Sequence, residues 1–369
     1  MSIGVIALVL QAVLLYPWKQ TWQQFLVSRD RQAVMLLFVV LLISGWNSSD
    51  RSAWLNWMRI ASVFVAFPLC SAAFNFPKKL LERLLQFFVA IMAISVLVVL
   101  VLYWWHYKEW NASLLLGQAI PVPFSHIRYN LLLVFAACCC WWLFQQETSP
   151  WRRFYALPLL LFVVAVHVLA SRSGWLALYA CTLVAILATL FRNGNWRMGW
   201  ALITCLVITP VLAYYTFEPV RFRIDFMKYD LQQFNVGHIE GNSDAMRLAS
   251  WKAGAQLIRE NFWTGVGAGD MLQESQRVGR IAYPDTPLED LKMPHNEFLW
   301  MFAATGIFGF LGFCFSFLAP FWINRQKGWL LWSLFVIFFT AFFTEYPLHE
   351  QVGSIFYLSF LSLFMSYRQ

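Results

Sequence analysis

Long apolar stretches dominate the chain, and short polar ones separate them. The runs lie near residues 3–16, 32–46, 54–74, 84–105, 128–146, 154–170, 173–191, 198–215, 296–323, 329–344 and 352–367. Most approach the roughly 17–25 residues that carry a helix across the hydrocarbon core. Barrel strands would instead alternate over about 10 residues. The pattern therefore predicts an all-α, polytopic membrane bundle of about 11 spans, or 10–12 because the first run is short. One polar stretch, about 80 residues long, interrupts it at 216–295. The expected organisation is eight spans in 1–215, a large loop at 216–295 and three spans in 296–369. Within the loop, "SDAMRLASWKAGAQLIREN" reads as an amphipathic helix with Ser243 or Asp244 as N-cap. Met246, Ala249, Ala253 and Leu257 share one face of it. "GVGAGD" ends the helix as a turn, and "YPDTPLEDLKMP" shows no periodicity.

Composition sharpens the membrane reading. The 369 residues are 60% hydrophobic and 12% charged, where soluble domains carry about 25% charge. Lys and Arg are unevenly shared between alternate short loops. Lys19, Arg29, Arg31, Lys78, Lys79, Arg83, Arg152, Arg153, Arg192, Arg197, Arg325, Lys327 and Arg368 fall on one side; Arg51, Lys108, Arg128 and Arg172 fall on the other. By the positive-inside rule the first set is cytoplasmic. The N-terminus, Arg172 and the 216–295 loop are then outside. The net charge of +8 is dispersed among loops, which is not the clustered footprint of nucleic-acid binding. All seven cysteines lie in apolar runs and imply packing, not a disulfide or metal framework. Residues 3–16 read as a short span and not as a cleaved signal, because no basic segment precedes them.

The middles of the spans are nearly free of charge, and the ionisable residues collect at the outer ends and in the outer loop. That argues against an ion path through the bilayer. It suits chemistry at the outer membrane–water boundary. Arg172 sits between two spans with almost no loop; the bland alternative is a snorkelling interfacial arginine. Arg247 lies on the loop helix, either as a solvated face residue or as an anion ligand whose planar fork matches phosphate. "MPHNEFL" opens a span with Pro294, His295, Asn296 and Glu297. Helix capping accounts for Pro294 and Glu297 but not for His295. A histidine at a helix N-terminus is kept neutral by the dipole, and neutral imidazole is what a general base requires. His126 and Arg128 in "PVPFSHIRYN" form a further outer cluster, whereas His167 inside a span reads as a packed core histidine. No phosphate-binding loop, dinucleotide fingerprint, paired-aspartate metal motif, zinc spacing or catalytic triad is visible.

From about residue 128 to 345 the sequence resembles the O-antigen ligase superfamily, which also holds O-antigen polymerases and O-oligosaccharyltransferases. "SRSGWL" is similar to the family's Arg-x-x-x-Leu, here Arg172 to Leu176. "AMRLASWKAGAQLIRENFWTGVGAGD" resembles its arginine-bearing loop helix and Gly-x-Gly turn, and "PHNEFL" its His-Asn motif. The resemblance implies a GT-C-like fold in the bacterial inner membrane with the site on the periplasmic face. It implies transfer of a glycan from an undecaprenyl-diphosphate carrier to a hydroxyl, without metal or nucleotide cofactor. Carried over residue by residue, it places Arg172 and Arg247 on the diphosphate and His295 at the acceptor, with Asn296 and Glu297 in the same motif. His126 and Arg128 are expected to contact substrate. The acceptor would be lipid A–core for a ligase or the growing glycan for a polymerase, with the ligase preferred. A protein glycosyltransferase fits less well, since no added C-terminal soluble region is seen. A transporter or flippase would show inverted repeats and mid-membrane polar residues, and neither is found.

Overall fold

The computed structural model describes residues 14, 16–146, 150–192, 194–237, 239 and 243–368, and they are overwhelmingly helical. The expected first span at 3–16 lies almost wholly outside them. In chain order the α-helices are α1 (Trp18–Val27), α2 (Arg29–Ser44), α3 (Arg51–Ala61), α4 (Val63–Ala72), α5 (Lys78–Trp105), α6 (Tyr107–Leu115), α7 (His126–Gln146) and α8 (Ala156–Val168). They continue as α9 (Arg172–Leu187), α10 (Trp196–Thr216), α11 (Glu218–Asn235), α12 (Ser243–Glu260), α13 (Met271–Ala282), α14 (Glu297–Ile323), α15 (Trp329–Thr344) and α16 (Gln351–Ser366).

Among the described residues, seven helical segments are long and apolar enough to cross a membrane: 29–47, 51–72, 78–105, 126–146, 172–191, 196–216 and 297–323. Two shorter apolar helices, α15 and α16, follow. The expected span at 154–170 holds only the 13 residues of α8 behind a 3₁₀ turn. At about 1.5 Å per residue that helix covers roughly 20 Å, less than a bilayer core. Three of the helices begin where a polar side chain meets one of the first free N–H groups. Asp50 accepts from Ala53 N at 2.8 Å before α3, Asn195 from Met198 N at 3.1 Å before α10, and Asn296 from Leu299 N at 3.0 Å before α14.

The chain divides into two compact units. The first comprises Met1–Leu81, Asp230–Leu331 and Phe342–Gln369. In it α14 packs along α2. One end of that pairing is latched by polar residues: Asn324 donates to Asp30 at 2.9 Å, and the buried Arg31 donates to the Ser71 carbonyl and to Ser366 Oγ. Arg31, counted above as a loop charge, is thus a helix-to-helix tie.

Near its start α14 is broken at Gly306, whose φ of 66° and ψ of −174° are not helical. The carbonyls of Ala303 and Ala304 accept from Val266 N and Gly267 N, and Ile307 N donates to Phe262 O. The "GVGAGD" turn therefore satisfies the backbone groups that the break frees, as buried backbone requires. A Cβ on Gly306 would lie 2.2 Å from the Trp263 carbonyl oxygen, and one on Gly265 would lie 2.5 Å from the Ala304 backbone. Only glycine at both positions permits this crossing.

The 216–295 region carries three helices where the sequence suggests one. The expected amphipathic helix is α12, with Ala249, Ala253 and Leu257 buried and Met246 partly exposed. Its start is held by Asp230 of α11, which accepts from Asp244 N at 2.7 Å. The added helix α13 buries Met271, Ser275, Val278 and Gly279. That face has helical spacing, but its serine and glycine hide the apolar signal.

The second unit comprises Glu82–Tyr229 and Trp332–Ala341. There α7 packs on α8 and α9, and α9 on α10. His167 is buried, with Nδ1 toward the Val163 carbonyl and Nε2 2.6 Å from the Tyr179 hydroxyl. It is the packed core histidine expected.

Candidate active site

The first unit gathers Arg247, His295 and a third residue, Glu345, around one carboxylate. Helix α12 supplies Arg247, the segment leading into α14 supplies His295, and the segment after α15 supplies Glu345. The backbone of His295 is gripped by α12 from both sides. Its N–H donates to Ser250 Oγ at 3.2 Å, and its carbonyl accepts from Trp251 Nε1 at 2.9 Å. Ser250 in turn donates to the Arg247 carbonyl at 2.7 Å, so one turn of α12 sets both candidate residues. Gly254 lets α12 come this close, since a Cβ there would lie 2.7 Å from Pro294 Cγ.

The segment after α15 is fixed just as directly. Asn296 Nδ2 donates to the Phe343 carbonyl at 3.2 Å, and Glu297 N donates to the Glu345 carbonyl at 3.1 Å. Asn296 thus caps α14 with its oxygen and ties down the Glu345 segment with its nitrogen. On the side-chain level, Arg247 Nη2 donates to Glu345 Oε1, and His295 Nδ1 lies 3.5 Å from Glu345 Oε2. The imidazole also lies against Tyr346, with ring centroids 5.1 Å apart and planes tilted by 32°. The Glu345 side chain is 4% exposed, whereas Arg247 and His295 are 20% and 22% exposed. The carboxylate is the buried base of the group, and the two groups that can meet a substrate reach outward.

Glu297, two residues from His295, is fully buried. Its carboxylate accepts from Leu348 N at 3.2 Å and lies 3.0 Å from His349 Nδ1. The structure therefore places it behind the group and not at its exposed side.

The other sequence-singled residues belong to the second unit. Arg172 is the first residue of α9, where the helix dipole favours an anion. The chain reaches it through Ala170, which is left-handed with φ of 51°. His126 Nε2 lies 2.7 Å from the Leu169 carbonyl and therefore carries the proton it donates there. Arg223 of α11 donates from Nε to the Ala170 carbonyl at 3.2 Å. Arg128 is 5% exposed and donates to Ser125 Oγ at 3.0 Å. His126 and Arg223 thus hold the reversal that presents Arg172, with Arg128 buried nearby in sequence at the start of α7. Arg223 was not singled out in the sequence, where it is one of several loop cations. Among the described residues, no group of three or more His, Cys, Asp or Glu is arranged to share a metal ion.

Residues 157–314 match the sequence model of the family described as O-Antigen ligase. Over this segment, less than half of its length, the chain is similar to that family. The matched segment runs from α8 into α14 and contains Arg172, Arg247 and His295–Glu297. His126, Arg128 and Glu345 lie outside it. The family indicates O-antigen ligase or polymerase-type activity on lipid-linked glycans. The seven helical segments long and apolar enough to cross a membrane are consistent with a membrane protein of this kind. No curated relative matches the chain.

Proposed function

We propose that this protein transfers a glycan from an undecaprenyl-diphosphate carrier to an acceptor hydroxyl at the periplasmic face of the inner membrane. The preferred acceptor is lipid A–core, making it an O-antigen ligase. The observation that supports this most is the Arg247–Glu345–His295 group, which joins a base, its orienting carboxylate and a phosphate-type cation within one unit.

The proposed step balances simply. The acceptor oxygen loses its proton to His295 Nε2 as it bonds to the anomeric carbon. The bond from that carbon to the diphosphate oxygen breaks, and the diphosphate leaves with the electron pair. Glu345 faces Nδ1, so a proton held there leaves the Nε2 lone pair for the hydroxyl. At 3.5 Å the contact is longer than a formed hydrogen bond, but a carboxylate at that distance still favours the imidazolium that develops in the transition state. Arg247 binds the diphosphate and stabilises its growing charge, the role that the resemblance in sequence also implies for Arg172. A diphosphate is already a competent leaving group, so the step calls for no metal or nucleotide. Membrane lipid is the medium in which the donor reaches the site, and nucleic acid has no part in it.

The test is reconstitution in proteoliposomes with a short undecaprenyl-diphosphate-linked oligosaccharide, in excess chelator. Lipid A–core is offered as acceptor in one arm and a second lipid-linked glycan in the other. Transfer to lipid A–core supports the ligase. Elongation of the lipid-linked glycan alone replaces it with a polymerase. Absence of product in both arms, with folded protein, overturns the proposal.

A further inference from the structure

A second, buried histidine–carboxylate pair shares Tyr346 with the first. Glu297 has no exposed surface, and the His349 side chain is 4% exposed. Glu297 Oε1 is 3.0 Å from His349 Nδ1, and Oε2 accepts from Leu348 N at 3.2 Å. The His349 ring is packed against Trp300 of α14, with centroids 3.7 Å apart, and edge-on to Trp57 of α3 at 5.2 Å. Tyr346 touches both histidines, at 5.1 Å from His295 and 6.0 Å from His349.

The two members of this pair sit on the two segments that build the candidate site. Glu297 follows His295 by two residues at the first turn of α14. His349 follows Glu345 by four in the 3₁₀ turn Pro347–His349. A carboxylate with no exposed surface is a poor source of net stability, because desolvation offsets what its partners return. A hydrophobic pair of similar volume would hold the segments together as well. What the polar pair adds is direction: Glu297 accepts from the Leu348 N–H and faces His349 Nδ1, while its own N–H donates to the Glu345 carbonyl. That closes a loop of contacts between the two segments that carry His295 and Glu345.

We infer that Glu297 and His349 are positioning residues, which set the distance between the Glu345 carboxylate and the His295 imidazole. The inference rests on reading Glu345 and His295 as the reacting pair. A misplacement of about 1 Å in such a pair is enough to cost roughly 100-fold in rate.

The experiment compares Glu297→Gln, His349→Leu and His349→Gln, each alone and combined with Glu345→Gln, in the proteoliposome assay above. A second readout needs no turnover: the rate at which diethylpyrocarbonate modifies His295, followed by mass spectrometry of its peptide. Melting temperature is measured for every variant. The expected result is a fall in kcat of about 10–100-fold for Glu297→Gln and His349→Leu. KM for the lipid-linked oligosaccharide stays unchanged, and the reactivity of His295 shifts. His349→Gln, which keeps a donor for Glu297, recovers part of the loss. In the Glu345→Gln background the same changes cost little further, because the charge they position is already gone. Losses that multiply in full with Glu345→Gln, or that follow melting temperature alone, overturn the inference. So does wild-type kcat with wild-type His295 reactivity in Glu297→Gln and His349→Leu. If the wild-type protein transfers nothing but His295 reactivity still responds to both pairs without adding, the transferase reading fails and the positioning stands.

Discussion

Replacing Glu345 by glutamine removes one charge from the candidate site and almost none of its shape. The amide oxygen can still accept from Arg247, so the fold should persist. What is lost is the carboxylate 3.5 Å from His295 Nδ1. Coulomb's law gives about 4.7 kcal/mol for a unit pair at that distance with an effective dielectric of about 20. Arg247 occupies the other carboxylate oxygen and neutralises part of that field, so about half, roughly 2–3 kcal/mol, is available to a developing imidazolium. Converted to rate, this is about 30- to 160-fold in kcat. The assay is the initial rate of transfer from the lipid-linked oligosaccharide in proteoliposomes, with kcat and KM separated and the melting temperature checked. Glu345→Asp, with the charge kept but withdrawn by a methylene, should fall between. Wild-type kcat in Glu345→Gln would refute the coupling. A rise in donor KM alone would mean that Glu345 serves Arg247 and not His295.

Four further outcomes are expected. Arg172→Ala and Arg247→Ala should each lower transfer by about 30- to several-thousand-fold, the effect of losing about 2–5 kcal/mol of charged contact. Lysine should rescue either position poorly, because a point charge does not replace a planar fork; wild-type rates in both lysine variants would exclude bidentate binding. His295→Ala should keep donor binding and lose about 10²–10⁴-fold in turnover, checked by direct product analysis, and full activity would remove His295 from the mechanism. Gly306→Ala should destabilise by about 1–3 kcal/mol from backbone strain alone, with more from the clash with the Trp263 carbonyl, seen as a lower melting temperature; an unchanged melt would contradict the crossing. Ser243→Cys should be labelled by an impermeant thiol reagent on intact spheroplasts, and labelling only after lysis would reverse the proposed orientation.

Much of the fold was legible because lipid imposes a simple rule: apolar runs of sufficient length become helices. The helix α12 was legible for a related reason, since its alanines and leucine keep a 3.6-residue period. Where the rule failed, tertiary contacts had replaced it. The break at Gly306 leaves no mark in hydropathy, because its freed carbonyls are satisfied by the "GVGAGD" turn some 40 residues earlier. The expected span at 154–170 divides because a 3₁₀ turn takes up its first residues. Arg31 reads as loop charge in a window of sequence, yet it is buried on Ser71 and Ser366, the latter 335 residues away.

The site divides along the same line. His295 stands out in the sequence because no capping role explains a histidine there, Arg172 because it sits between two spans with almost no loop, and Arg247 because a planar fork on the loop helix suits phosphate. Glu345 was passed over, although "TEYPLHE" places two glutamates and a histidine between two apolar runs on the side already assigned to His295. A loop carboxylate is ordinary when read alone. It becomes informative only through its partners, and those are 98 and 50 residues away. The same holds for Glu297, whose first-turn position is fully explained by the helix dipole until the structure brings His349 against it. Sequence signals a functional residue when local rules fail to account for it. Residues that satisfy a local rule and also meet a distant partner escape such a search, and Glu345 and Glu297 are of that kind.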